Sequence, residues 1–136
     1  MKCSLATEST APLEGLWSLA VTTVADTRGG EALLATISGG VPLADLLGHL
    51  ICGKYVWTGL HDEELMAFAI VRHDVIEALY VPVAFRRRGV ARSMLESLHA
   101  LAQPPIDALA LPGDRGTKSL YESFGWKARL LTMRAD

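Results

Sequence analysis

Three apolar segments joined by very short connections constrain the fold of this chain most. Residues 54–60, 64–72 and 75–81 are rich in β-branched, aromatic and other apolar side chains, and turns at 61–63 and 73–74 separate them. Connections of this length leave no room for a crossover helix, so neighbouring segments can pair only as antiparallel strands. The sequence therefore predicts an antiparallel meander from residue 54 onward.

An arginine-rich turn follows the third strand and opens a predicted helix over residues 89–102. The turn and first helical residues read Arg86-Arg87-Arg88-Gly89-Val90-Ala91. Unpaired backbone N–H groups and the positive end of the helix dipole meet at such a point. Gly89 has no Cβ to hold a ligand away, so a diphosphate could lie against the bare backbone. The alternative is a solvated basic turn at an ordinary helix start.

The helix over 89–102 separates two strands, 75–81 and 106–111, which is how a parallel strand pair is made. The sheet is therefore expected to be mixed. Pro82 cannot donate to a strand ladder, so pairing on that side is expected to end near Val81. Alternatively, Pro82 only ends an edge strand. A last helix is expected from the segment after Asp114 to about Phe124, and a final strand over 127–134.

The N-terminal part is predicted to be mainly helical. Apolar residues recur at three- and four-residue steps from 12 to 25, and shorter helices are plausible over 31–37 and 42–52. A short first strand is expected over 2–6.

Length and composition predict one domain spanning residues 1–136. Half of the residues are apolar and the formal charge is −2, which argues against a nucleic-acid-binding surface despite the local arginines. No signal peptide or membrane span is apparent, so the cytosol is the default compartment. Cys3 and Cys52 are expected to be reduced, and no histidine–carboxylate spacing suggests a metal site.

Motifs over residues 64–126 resemble the GNAT superfamily of N-acetyltransferases. The resemblance rests on three motifs in order. The first is a strand ending that contains Leu79 and Val81, and the second is an Arg-x-x-Gly-x-Ala helix start formed by Arg86, Gly89 and Ala91. The third is a Leu-Tyr-x-x-x-Gly motif formed by Leu120, Tyr121 and Gly125, with Trp126 in the position of the family's Phe. The resemblance implies an α/β (α+β) fold with a mixed, mainly antiparallel twisted sheet, helices on both faces and a splayed parallel strand pair.

The resemblance implies that acetyl-CoA is the co-substrate and that it lies in the gap of the splayed strand pair. The backbone of Leu79, Tyr80 and Val81 would hold the acetyl end and the pantetheine arm. The diphosphate would be held by the turn and the helix start, comprising Arg86, Arg87, Arg88, Gly89, Val90, Ala91 and Arg92. Asp114 stands where the family often has a cofactor-contacting Asn, although Asp114 could instead accept a hydrogen bond or cap the helix.

The resemblance also assigns candidate catalytic residues. Tyr121 matches the family's general acid near the thioester sulfur, and the alternative is a packed ring whose hydroxyl bonds to the backbone. Glu77 has the same strand parity as Leu79 and Val81, where a carboxylate could relay a proton through water. Glu77 could equally be a salt-bridge partner. Some family members place a Glu where this chain has Leu109.

The function predicted from these motifs is acetyl transfer to an amine by direct attack in a ternary complex. The acceptor, a small-molecule or peptide amine, would be held by the first two helices and the turn near His61. The alternative is a non-catalytic acyl-CoA-binding or regulatory module. Ten residues follow Trp126, so one strand is expected where the family has two. The acceptor side would then be open or completed by another subunit, which makes a homodimer a hypothesis.

Overall fold

The computed structural model describes residues 1–133 and 135. Its strands and helices follow one another as β1 (Lys2–Leu5), α1 (Ala11–Ala25), α2 (Gly30–Ser38), α3 (Leu43–Cys52), β2 (Val56–His61), β3 (Glu64–Arg72), β4 (Val75–Tyr80), α4 (Val90–His99), β5 (Asp107–Ala108) and α5 (Arg115–Ser123). A single 3-10 turn, Val83–Phe85, lies between β4 and α4.

The five strands form one sheet in the order β1-β2-β3-β4-β5. Pairing is antiparallel from β1 to β4 and parallel between β4 and β5, so the predicted meander and mixed sheet are confirmed. Both hairpin turns carry two residues with positive φ: Asp62 and Glu63 at 49° and 66°, and His73 and Asp74 at 54° and 65°. This backbone geometry matches the twist of the flanking strands and explains why such short connections suffice.

Two apolar cores lie on opposite faces of the sheet, which confirms the predicted helices on both faces. Helices α1, α2 and α3 cover one face, where Phe68 and Ile70 of β3 are buried among them. Helices α4 and α5 cover the other face with Ala67 and Ala69 of the same strand. This division follows from the alternation of side chains along a strand.

The helix boundaries follow the capping chemistry of the sequence. Oγ1 of Thr10 accepts a 3.4 Å hydrogen bond from the backbone N–H of Leu13, and Pro12 lies in the first turn of α1. Of the helices that the structure describes, none is by itself long and apolar enough to span a membrane. Only α2 and α3 taken together, which meet at a 54° bend, have the required length and composition.

Two predicted strands near the C-terminus are corrected. The predicted strand 106–111 is paired only over Asp107–Ala108, because the chain turns away from β4 after Leu109. The predicted final strand over 127–134 is wrong for residues 127–133, which form no strand, while Arg134 lies outside the described residues. Leu130 and Leu131 in this segment are exposed.

Candidate active site

A gap opens between β4 and β5 in the middle of the sheet. The parallel pairing covers only Val75 with Asp107 and Ile76 with Ala108, and the backbone N–H of Leu109 donates a 2.9 Å hydrogen bond to the carbonyl of Ile76. Beyond this bond, no strand of residues 1–133 pairs with this side of β4. The predicted splayed strand pair is therefore present, but the gap opens at Glu77 and not near Val81.

A β-bulge at Glu77 is the physical reason for the early opening. On the other side of β4, Ala78 pairs with Ile70 and Ile76 pairs with Val71, so Glu77 is an extra residue without a partner. A bulge bends its strand and shifts the alternation of side chains. The strand is thus turned away from β5 before Pro82 is reached.

A cavity of about 570 Å³ lies in and beside this gap. Residues from α1 and α2 form one wall, β4 and the turn before α4 form another, and the start of α5 closes the far side. Leu79, Tyr80 and Val81, the predicted holders of the acetyl end, all line the cavity, and so does Leu109.

The N-terminus of α4 points backbone donors into the cavity. Gly89 precedes the first turn of α4 with φ at +74°, and no side chain caps that turn. A Cβ at Gly89 would meet no atom within 4 Å, so the space over this backbone is open. Gly89, Val90 and Ala91 line the cavity. Uncapped first-turn N–H groups together with the helix dipole make this end of the cavity suitable for an anion.

The four predicted cofactor-binding arginines do not all reach the cavity. Arg86, Arg87 and Arg92 line it, whereas Arg88 lies outside with its guanidinium 5.7 Å from the ring centre of Phe85. Nε of Arg86 donates a 2.9 Å hydrogen bond to the carbonyl of Val81, which joins the turn to the end of β4.

Arg92 is held against α5. Its Nη2 donates a 3.0 Å hydrogen bond to Oγ of Ser123, and its guanidinium lies 4.9 Å over the ring of Phe124. Both contacts orient a positive charge beside the start of α4.

Asp114 lines the cavity and caps the N-terminus of α5, which was one of the roles predicted for it. Oδ1 accepts a 3.0 Å hydrogen bond from the backbone N–H of Thr117, and Oδ2 accepts a 2.6 Å hydrogen bond from its hydroxyl. Both oxygens are thereby engaged in the cap.

Tyr121 is buried beside the cavity and is not part of its lining. Its side chain is 6% exposed, and its ring stacks on Trp126 with centroids 5.6 Å apart. Within the part of the chain that the structure describes, the Tyr121 hydroxyl has no hydrogen-bond partner. Burial, and secondarily the charge of Asp114, raise the pKa of Tyr121, so the phenol stays protonated at neutral pH.

Glu77 lines the cavity and forms an ion pair with Arg72. Oε2 accepts a 3.1 Å hydrogen bond from Nη2 of Arg72. Oε1 lies 2.7 Å from Nε, is shielded from solvent, and has no hydrogen-bond partner among the described residues. The prediction that Glu77 lies on the same face of the sheet as Leu79 and Val81 is wrong, because the bulge turns its side chain toward α2. On that face, Nη2 of Arg72 also donates a 3.0 Å hydrogen bond to the carbonyl of Ile37.

Sequence reasoning missed Arg72. The signal was present, since Arg72 ends β3 and Glu77 follows five residues later, across a two-residue turn. Arg72 pairs with Val75, so Glu77 is its diagonal neighbour on the next strand, within reach of a long side chain of opposite charge.

Comparisons with known proteins identify the fold. Neither any family model nor any curated protein sequence matches this chain. Among solved structures, AAC(6')-Iy in complex with the bisubstrate analogue CoA-S-monomethyl-acetylneamine superposes with a TM-score of 0.58 and 15% identity over 100% of this chain and 99% of that one.

Two further structures agree with this similarity. The aminoglycoside 6'-N-acetyltransferase AAC(6')-IG from Acinetobacter haemolyticus has a TM-score of 0.53 and 18% identity, with both chains covered completely at 100%. A protein from Xanthomonas campestris assigned to the GNAT family has a TM-score of 0.52 and 18% identity over 100% of this chain and 94% of that one. The chain therefore has the fold of the GNAT acetyltransferases, as its motifs predicted.

Proposed function

We propose that this protein is an N-acetyltransferase that moves the acetyl group of acetyl-CoA to a small-molecule amine in a ternary complex. One observation carries the proposal: the gap between β4 and β5 leads directly to the uncapped N-terminus of α4. An extended amide-containing arm and a diphosphate need these two features in this order.

The residues of the cavity fit acetyl-CoA. Because no described strand pairs with this part of β4 on the side away from β3, backbone groups of Leu79 and Tyr80 on that side are available to the pantetheine amides, as is the N–H but not the carbonyl of Val81, which already accepts from Arg86. The first turn of α4 would bind the diphosphate with Arg86 and Arg87, which line the cavity beside it. The complex of the structural neighbour AAC(6')-Iy with a CoA bisubstrate analogue supports this assignment. Acetyl-CoA supplies an acetyl group activated as a thioester.

The proposed reaction forms one C–N bond and breaks one C–S bond. A neutral amine attacks the acetyl carbon, the nitrogen loses a proton, and the sulfur leaves as the thiol of CoA. Glu77 would take the nitrogen's proton, because its carboxylate belongs to a residue that lines the cavity. Tyr121 would donate toward the sulfur, because its raised pKa keeps the hydroxyl protonated.

A non-catalytic acyl-CoA-binding module is the second candidate. The observation that favours it is the placement of the two catalytic candidates: Glu77 is already paired with Arg72, and the Tyr121 hydroxyl does not line the cavity. Such a module would bind CoA without turnover.

Thiol release from acetyl-CoA across a panel of amines distinguishes the two functions. An enzyme is expected to release CoA in proportion to the acetylated amine, and Tyr121→Phe should slow this release. Thermal stabilisation by CoA, measured in parallel, is expected for both functions. Stabilisation without release for any amine would favour the module, and the absence of both would contradict the proposal.

A further inference from the structure

One end of the cavity is lined almost entirely by apolar side chains. Helices α1 and α2 contribute one polar residue, Thr23, and the apolar residues Trp17, Ala20, Val21, Val24, Leu33, Leu34 and Ile37. We call this part of the cavity, together with Phe68 and Ile70 beneath it, the apolar chamber.

Aromatic rings form one side of the apolar chamber. The rings of Trp17 and Phe68 lie 5.8 Å apart, and those of Phe68 and Tyr80 lie 5.9 Å apart, both in tilted arrangements. All three residues line the cavity. Phe68 is only 1% exposed and forms the packed floor, whereas Val21, Val24 and Leu34 are partly exposed and present the apolar surface that an aromatic or branched aliphatic group would contact.

The charges of the cavity lie outside the apolar chamber or are already engaged. Within the described residues, the charged members of the lining are Arg86, Arg87, Arg92, Glu77 and Asp114. The three arginines surround the start of α4. Both carboxylates are bonded, Glu77 to Arg72 and Asp114 to Thr117.

A polycationic acceptor would be poorly stabilised in this cavity. Each additional ammonium group would have to leave water, and the carboxylate of the described lining that has no ion pair, Asp114, lies at the start of α5 with both oxygens already bonded to Thr117. The arginines in the same cavity would also repel it. An apolar body, in contrast, gains free energy from every part of its surface that the chamber buries.

We propose that the acceptor is a single primary amine on an aromatic or branched aliphatic body, and that the apolar chamber holds this body. This inference rests on the proposed acetyl transfer. It specifies the substrate class by charge and polarity: one amine, no further cationic groups, and a body of roughly ring size.

The same surroundings prepare the amine for attack. Transfer from water to an apolar site disfavours the ammonium form, so the pKa of the amine falls and its proton passes to solvent on entry. The neutral nitrogen then forms the C–N bond while the C–S bond breaks. The proton lost from the attacking nitrogen passes to the carboxylate of Glu77, which lines the cavity, and the sulfur acquires a proton as the thiol.

A shallow groove between α1 and α3 offers a competing location for a cationic acceptor. Trp17 and Val21 belong to both this groove and the cavity, and Glu14 and Asp45 line the groove. Glu14 already accepts a 2.8 Å hydrogen bond from Oγ of Ser9. A preference for polycations that depended on Glu14 and Asp45 would place the acceptor there and not in the apolar chamber.

Calorimetric titration of amines into the protein saturated with CoA tests the inference without requiring turnover. The two probes, 2-phenylethylamine and 1,6-diaminohexane, have similar length. The first carries an aromatic ring where the second carries another ammonium group. The ring-bearing amine is expected to bind at least about tenfold more tightly, since each factor of ten corresponds to only about 1.4 kcal/mol.

Leu34→Glu places a carboxylate in the apolar chamber at little cost to the fold, because Leu34 lines the cavity but lies outside the two apolar cores. This variant is expected to weaken 2-phenylethylamine binding about tenfold and to strengthen diamine binding. Leu19→Glu is the matched control: it makes the same change on α1 at a side chain that is 50% exposed and outside the cavity, and both affinities should stay unchanged.

Thiol-release assays with acetyl-CoA separate this inference from the proposed function. If 2-phenylethylamine binds and responds to Leu34→Glu, but no amine releases CoA, the apolar site is supported and the acetyltransferase assignment is wrong. If neamine or the diamine is acetylated in preference, and Glu14→Gln or Asp45→Asn removes this preference, the enzyme stands and the inference is overturned. Tighter binding of hexanoyl-CoA than acetyl-CoA, with exclusion of 2-phenylethylamine, would also overturn it, because the chamber would then hold the acyl chain.

Discussion

Nε of Arg72 lies 2.7 Å from Oε1 of Glu77, at the bulge where β4 leaves β5. The contact links two features of the site, since Arg72 also bonds to the carbonyl of Ile37 on α2. It therefore connects the helix that forms the cavity wall to the strand position where the cavity begins.

A double-mutant cycle measures this ion pair. Arg72→Met leaves the carboxylate of Glu77, a residue that is 8% exposed, without its partner and is expected to lower the free energy of unfolding by about 3 kcal/mol. The double variant Arg72→Met/Glu77→Gln should recover much of this loss, because no buried charge is left unpaired. Urea unfolding of the wild type, Arg72→Met, Glu77→Gln and the double variant gives the four free energies of unfolding that the cycle requires. Strictly additive losses would show that the pair is not coupled.

Tyr121→Phe is expected to separate stability from activity. The hydroxyl has no partner among the described residues, so its removal should leave the unfolding free energy unchanged or raise it by up to about 1 kcal/mol. Turnover at saturating acetyl-CoA should fall by roughly 10²-fold or more if the hydroxyl protonates the sulfur. Tyr55→Phe is the control, since Tyr55 does not line the cavity. A stability loss at unchanged turnover would assign Tyr121 a structural role.

The raised pKa of Tyr121 also predicts how stability depends on pH. In the unfolded chain the phenol ionises near pH 10, whereas the folded chain keeps its proton at that pH. The folded state then holds more protons, so this contribution to stability is complete below about pH 10 and is lost as the pH rises further. Urea midpoints at about pH 8 and about pH 10.5 should differ more for the wild type than for Tyr121→Phe. If the two proteins showed the same difference in urea midpoint between these pH values, the raised pKa of Tyr121 would be contradicted.

Gly89→Ala tests whether the backbone of the α4 start binds the co-substrate. Its positive φ makes any Cβ unfavourable by about 1 kcal/mol, although no atom would clash with it. Gly39→Ala is a matched control with φ at +55° and equally open space at the end of α2. Both variants should lose similar stability, but only Gly89→Ala should weaken CoA binding. Equal CoA affinities would remove α4 from the site.

The sequence predicted the elements of this fold better than the details of the site. The meander and the α4 start were predictable because strand periodicity, turn residues and an Arg-x-x-Gly-x-Ala motif are local signals. The bulge at Glu77 was not, because it depends on the register between β3 and β4, which the sequence of β4 alone does not specify. The parity assigned to Glu77 was therefore wrong.

Side-chain contacts that arise from tertiary packing could not be predicted from the sequence either. Arg88 belongs to the same turn as Arg87, yet it packs on Phe85 outside the cavity. The burial of Tyr121 against Trp126 likewise arises from packing around α5. The apolar chamber combines residues of α1 and α2 with strand residues more than thirty positions later in the sequence.

Calorimetric titration of CoA into the wild type, Arg87→Glu and Lys2→Glu tests the central claim most directly. Arg87 lines the cavity beside α4, whereas Lys2 is an exposed residue of β1 at the opposite edge of the sheet. We expect CoA to bind the wild type and Lys2→Glu with equal affinity and Arg87→Glu at least about tenfold more weakly, because a cation beside the diphosphate becomes an anion. No heat of binding with millimolar CoA, or equal affinity in all three proteins, would contradict the assignment of this cavity.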